Sequence, residues 1–137
     1  MKSVLVDTSF IVARMDRRQQ YHEPCLAAFV GLEGPLITCE PVIAEACHLL
    51  RHFPGTVEAV LHNIAKGNMQ IPLALASRAN ELVALLDKYA DVPMDLADAC
   101  LVDLATQMGT GRILTLDSDF KIYRWGRNRA FELLIEF

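Results

Sequence analysis

Val4-Leu5-Val6-Asp7-Thr8-Ser9 is the stretch whose reading decides the fold. Three apolar residues end on a carboxylate, and two hydroxyl residues follow at once. The apolar run is too short for a helix and lacks polar alternation. It marks a central strand buried on both faces, as in parallel sheets. Asp7 then falls at the strand's carboxyl end, where open α/β sheets place their ligands. Thr8 or Ser9 can cap the helix that Phe10-Ile11-Val12-Ala13 begins. Taken alone, Asp7 reads equally well as a cap or turn residue. What decides is whether other carboxylates come to stand beside it.

Working outward, the same strand-then-helix pattern repeats. A short helix over 9–15 and a polar loop at 17–20 lead into helical character from Tyr21 to Leu32, with Pro24 near its first turn. Leu36-Ile37-Thr38-Cys39 is a second strand. Pro41 opens a helix to about His52, and 57–66 forms another. Met69-Gln70-Ile71-Pro72 is a short third strand. Residues 74–90 are the longest helical candidate, with apolar side chains at helical spacing. Asp95 can cap a helix over 96–108. Arg112 to Leu116 is a strand ending in Asp117-Ser118-Asp119, a turn of helix follows near 120–123, and Phe131 to Phe137 reads as a last strand.

Alternating strands and helices imply a parallel sheet with helices on both faces. The expected fold is a three-layer α/β/α domain over 1–137, with a central, mostly parallel sheet of about four to five strands. The first strand is placed in the middle. The stretch from Val42 to Met108 carries several helices and one weak strand, which suggests a helical arm beside the sheet.

Composition narrows the class. At 137 residues, with 53% hydrophobic and 22% charged residues, the chain is globular rather than disordered. No apolar run is long enough to span a bilayer. Met1-Lys2-Ser3 runs straight into the first strand without the apolar core of a signal peptide, so a cytoplasmic location is expected. Cys25, Cys39, Cys47 and Cys100 show no C-x-x-C pairing and read as reduced, buried small hydrophobes, not a zinc site. The net charge of −4 argues against a surface that grips nucleic acid everywhere. It leaves room for local basic runs at Arg14, Arg17 and Arg18 and at Lys121, Arg124, Arg127 and Arg129.

The acidic positions share one property. Asp7 follows the first strand, Glu45 lies in the first turns of the helix after the second, Asp98 is in the first turn of the 96–108 helix, and Asp117 and Asp119 follow the 112–116 strand. In a parallel sheet these points face one edge, so four or five carboxylates can converge. Asp98 and Glu45 stand among small apolar residues, where an acid suggests an inward-facing ligand. Asp103 lies about 140° around the helix from Asp98 and points elsewhere. Converging carboxylates cannot all stay ionised without a cation. An all-oxygen set favours Mg²⁺ or Mn²⁺ over zinc, and the matching chemistry is metal-assisted phosphodiester hydrolysis.

These residues carry a family resemblance. Val6-Asp7-Thr8-Ser9-Phe10-Ile11, Glu45 in Pro41-Val42-Ile43-Ala44-Glu45, Asp95-Leu96-Ala97-Asp98-Ala99 and Ile113-Leu114-Thr115-Leu116-Asp117-Ser118-Asp119-Phe120 occur in the order found in PIN-domain ribonucleases. Within that group the chain resembles the VapC toxins of toxin–antitoxin pairs. The resemblance implies a Mg²⁺- or Mn²⁺-dependent endoribonuclease with an RNA substrate, an antitoxin partner and a homodimeric state. It also implies Asp7, Glu45, Asp98 and Asp117 as catalytic and metal-holding acids, with Asp119 assisting, and Thr8 or Ser9 bracing Asp7 or a metal-bound water. The basic runs suggest that Arg14, Arg17, Arg124 and Arg127 line the RNA path. Three other readings stand beside it: an RNA-processing protein or RNA-binding scaffold of the same fold without an antitoxin, a di-iron site using Glu45-x-x-His48, and a phosphoacceptor domain. The di-iron architecture needs a second such pair, and a phosphoacceptor needs an acidic pair and a later lysine. The sequence supplies neither.

Overall fold

A computed structural model describes residues 2–137. Its elements follow in order as β1 (Val4–Val6), α1 (Thr8–Met15), α2 (His22–Phe29), β2 (Leu36–Ile37), α3 (Glu40–Leu49), α4 (Thr56–Ala65) and β3 (Met69–Gln70). Then come α5 (Leu75–Lys88), α6 (Leu96–Met108), β4 (Arg112–Leu114), a 3₁₀ turn (Ser118–Lys121), β5 (Arg124–Trp125), β6 (Arg129–Ala130) and β7 (Glu132–Leu133). The main sheet has five strands in the order β3-β2-β1-β4-β7, all paired in parallel, with β1 in the middle as expected. Every residue of β1 is buried, which is why its sequence shows no polar alternation. Among the described residues, no helix is long and apolar enough to cross a membrane.

The strands are shorter than the apolar runs that announce them. Pairing in β4 stops at Leu114, so Thr115 and Leu116 lie beyond the ladder. Register then does the positioning. Val6 pairs with Leu114, so Asp7 and Thr115 leave the sheet side by side. The Asp7 backbone N–H still reaches the Leu114 carbonyl at 3.1 Å. On the other flank the Thr38 hydroxyl donates to the Val6 carbonyl at 2.7 Å, tying the end of β2 to the end of β1.

Three local expectations need correction. The cap of α1 is Asp7 itself, not Thr8 or Ser9: its backbone is extended and its side chain accepts from the Thr8 N–H. The last strand shrinks to Glu132–Leu133. Before it, Arg124 to Ala130 fold into an antiparallel hairpin, β5 with β6, which no apolar alternation in the sequence announces. Its turn uses positive φ at Gly126 and Asn128, the residue types that tolerate that region best. The hairpin docks through Trp125, whose indole N–H donates to the Ala130 carbonyl and whose ring lies against Gly111.

Helix α6 is buried without interruption from Ala97 to Ala105, because α3, α5 and β5 all pack on it. Two acids, Asp98 and Asp103, are therefore carried into the interior. Arg78 on α5 meets Asp103 with two hydrogen bonds of 2.8 and 2.9 Å, so Asp103 does point away from Asp98. Only Leu82 of α5 is buried, which makes α5 an outer helix laid against α6. Cys25, Cys39 and Cys100 are buried and Cys47 is half-buried, all as free thiols.

Candidate active site

Asp7 stands at the centre of the carboxyl edge, 5% exposed. The Thr8 N–H donates to its Oδ1 at 2.8 Å. Its Oδ2 accepts from the Thr115 hydroxyl at 2.7 Å and from the Ser9 hydroxyl at 3.3 Å. The Ser9 oxygen in turn accepts the Leu116 N–H at 2.9 Å, and the Thr115 oxygen accepts the Asp117 N–H at 3.0 Å. A web of hydroxyls thus locks β1 to the residues after β4 and fixes the orientation of Asp7.

Asp98 enters from α6. It closes a capping box with Asp95: the Asp98 N–H donates to Asp95 Oδ1 at 2.8 Å, and the Asp95 N–H donates to Asp98 Oδ2 at 3.4 Å. The buried Tyr123 hydroxyl donates to the same Oδ2 at 3.1 Å. Capping alone would have left Asp98 at a solvent-facing end. Its burial and the tyrosine set it apart from an ordinary cap. Asp117 caps the 3₁₀ turn by accepting the Asp119 N–H at 2.9 Å.

The charges of these acids act on one another. Burial pushes the Asp7 carboxyl up to about 6, with the negative charge of Asp117 adding to it. Burial also raises Asp98 to about 7, reinforced by the charges of Asp95, Asp7 and Asp117. Asp117 is raised by burial and then by Asp119 and Asp95. Among the described residues, the ion pairs lie elsewhere, at Asp16, Glu81, Asp103 and Glu132. The cluster is an uncompensated concentration of negative potential, which is where a divalent cation is held most favourably. Among the described residues, no three His, Cys, Asp or Glu side chains close on one point as a ready-made cage. The donors are all oxygen, which suits a hard ion that keeps several waters and takes only one or two carboxylates.

Glu45 makes none of the hydrogen bonds of this web. It is solvent-exposed on α3, and its charge does not figure in the shifts of Asp7, Asp98 or Asp117. Its helix is nonetheless adjacent, since the Thr8 hydroxyl reaches the Val42 carbonyl at 3.5 Å.

Comparison with known proteins places the fold. The model of the PIN domain matches residues 4–126. The chain belongs to the PIN domain family. Ribonuclease VapC26 of Mycobacterium tuberculosis (strain ATCC 25618 / H37Rv) is 28% identical over 116 residues, covering 83% of this chain and 86% of that protein. The crystal structure of Mycobacterium tuberculosis VapC20, a toxin that cleaves the sarcin–ricin loop, superposes with a TM-score of 0.79 at 17% identity. That match covers 87% of this chain and 93% of the other, and it supports the three-layer fold.

The basic residues of this PIN domain scatter. The Arg14 guanidinium lies 4.3 Å over the Phe29 ring, in a groove of about 480 Å³ between α1, α2 and α4. Arg17 is exposed in the loop after α1, and Arg127 in the turn of the hairpin. Arg124 turns its Nη1 onto the carbonyls of Lys121, Ile122 and Tyr123. It closes the 3₁₀ turn as well as carrying charge. Two site residues escaped the sequence reading, Thr115 and Tyr123. Thr115 had a signal: with β1 beside β4, a hydroxyl just past the strand must sit next to Asp7. Tyr123 had none, because its contact with Asp98 depends on how the aromatic residues pack.

Proposed function

We propose that this PIN domain is a VapC-type endoribonuclease, the toxin of a toxin–antitoxin pair, and that it hydrolyses RNA phosphodiester bonds with Mg²⁺ or Mn²⁺. The metal reading is supported by the way burial and neighbouring acidic charges together raise Asp7, Asp98 and Asp117, with no cation paired to them among the described residues. Asp7 and Asp98 are the residues that would hold the ion, with Asp117 and Asp119 completing its water shell. Glu45 is the further acid of the set, supplied from the exposed face of α3. Such an ion, when bound, polarises the phosphate and acidifies the attacking water.

The chain's own groups do the rest. Thr115 and Ser9 hold Asp7 Oδ2 in place, Tyr123 does the same for Asp98, and Thr8 spans from Asp7 to α3. Orientation fixed before substrate arrives lowers the reorganisation needed during reaction. We further propose an RNA substrate, a protein antitoxin that silences the site, a homodimeric state and a cytoplasmic location.

The test pairs cleavage with thermal denaturation. In Mn²⁺ or Mg²⁺ the wild-type chain is expected to cut RNA, and chelator is expected to stop it. An ion held at about 100 times its dissociation constant stabilises the fold by about 2.7 kcal/mol, so saturating Mn²⁺ should raise Tm by several degrees. Cleavage that continues at full rate in chelator rules the metal reading out. RNA binding without cleavage in any divalent ion would favour the scaffold alternative.

A further inference from the structure

A second groove, of about 670 Å³, begins at the candidate active site. Ser9 and Leu116 line its near end, and Ser9 is the residue whose hydroxyl donates to Asp7. From there the groove runs over Val12 and Leu49 to Arg18, Tyr21 and Phe53. Its volume falls within the roughly 300–1,000 Å³ of small-ligand sites.

The far end has the construction of a stacking platform. The Arg18 guanidinium lies 4.8 Å over the Phe53 ring. It is held there by Asp16, which is buried and accepts from Arg18 Nε at 3.2 Å and from the Arg18 backbone N–H at 3.0 Å. Those hydrogen bonds keep the Asp16 carboxyl below its usual range, so the anchor stays ionised. The Arg18 side chain is still 76% exposed. Its guanidinium carbon lies over Phe53, and most of the side chain is open to solvent. Gln19 and Gln20 also line the groove; the Gln19 amide N–H donates to Asp16 Oδ2 at 3.4 Å, and the Gln20 amide offers both donors and acceptors.

A flat cationic surface, an apolar floor and amides at the edge suit one class of ligand. Proteins bind unpaired bases by stacking them on aromatic rings and guanidinium planes and by hydrogen-bonding their edges. A peptide segment would use the apolar floor but has no need of an exposed guanidinium. We propose that this groove is a subsite for one unpaired nucleobase of the RNA, next to the phosphate that is cut, with the base stacked on the Arg18–Phe53 pair. The proposal rests on the nuclease reading and adds to it the residues that choose where the strand is cut.

The experiment measures binding of a fluorescent single-stranded RNA of eight nucleotides to the Asp7→Asn chain, with an abasic nucleotide placed at each position in turn. One position is expected to lose about tenfold or more in affinity when its base is removed. Phe53→Ala and Arg18→Ala are each expected to weaken binding of the intact oligonucleotide by a similar factor, and to bind the abasic one no more weakly than the parent does. Phe53→Leu, which keeps apolar bulk without a flat ring, should behave as Phe53→Ala does. This guards against a loss that comes only from misfolding. In a cleavage assay with Asp7 restored, the loss should fall on KM rather than kcat.

Equal weakening on intact and abasic RNA, or no weakening at all, overturns the subsite. A chain with Asp7 restored that cuts no RNA in Mn²⁺ counts against the nuclease reading. The abasic scan is read by binding alone, so the two failures are separate.

Discussion

Asp7→Asn is expected to reduce RNA cleavage by about 10³-fold or more while making the metal-free chain more stable at pH 8. The loss follows from Asp7's place among the acids proposed to hold the ion. Metal-assisted charge stabilisation supplies several kcal/mol of the barrier reduction, and each 1.4 kcal/mol is tenfold in rate. The gain follows from burial. The Asp7 carboxyl sits at about 6 in the fold against an ordinary 3.8. One pKa unit is worth about 1.4 kcal/mol, so ionising Asp7 in the folded chain costs about 3 kcal/mol. The sign is that of a raised acid: its favourable contribution is present below about pH 4 and is lost as pH rises through about 6. Asp98, raised to about 7, acts in the same direction over a slightly higher window.

Asparagine carries no charge and remains a good helix cap, so the variant escapes most of that cost. Denaturation in chelator at pH 8 should show a gain of about 1–3 kcal/mol, or roughly 5 °C in Tm. The advantage should vanish near pH 4, where the wild-type carboxyl is protonated. Saturating Mn²⁺ should stabilise the wild type and not the variant. A variant that cuts at the wild-type rate would remove Asp7 from the chemistry. A variant less stable than wild type at pH 8 would mean that its hydrogen bonds to Ser9 and Thr115 outweigh the charge.

Gly111→Ala should be the most damaging small substitution in the fold. A Cβ at this position would lie 2.0 Å from Trp125 Nε1 and within 2.9 Å of two more ring atoms. Trp125 is 8% exposed and cannot swing away without releasing its bond to the Ala130 carbonyl. Overpacking costs about 1–3 kcal/mol, and a lost, partly buried hydrogen bond adds about 1 kcal/mol. The expected total is about 3 kcal/mol, or roughly 10 °C in Tm. Gly109→Ala is the control. That position has open space for a Cβ but a φ of +67°, so only the left-handed backbone cost of about 1 kcal/mol applies. Equal effects at the two positions would show that the hairpin yields freely. The seam between Gly111 and Trp125 would then not be what holds it.

The two variants probe different kinds of information. The acids are marked in the chain because a carboxylate stands where burial would otherwise exclude charge. Asp7 at the end of Val4-Leu5-Val6, and Asp98 between alanines, are local conflicts that a reader of the sequence can see. Parallel strands alternating with helices are likewise written locally, in short apolar runs separated by helical periodicity. The position of β1 followed from its being apolar on both faces. PIN family membership was legible because the motifs keep their order along nearly the whole chain.

Contacts between distant segments were not legible. Trp125 seals against Gly111, Tyr123 reaches Asp98, and Arg18 lies on Phe53, and no periodicity ties these partners together. Asp7 caps α1 and also feels the charge of Asp117, so the cap reading does not exclude the other. The sequence by itself determined which residue types lie at the carboxyl edge, since strand ends and hydrophobic period are properties of short stretches. Only the tertiary structure decided which of those residues touch. Register between β1 and β4 brings Thr115 to Asp7, and burial of α6 carries Asp98 inward. Glu45, on an equally plausible stretch, was left facing water because the packed side of α3 is formed by Val42, Ile43 and Ala46.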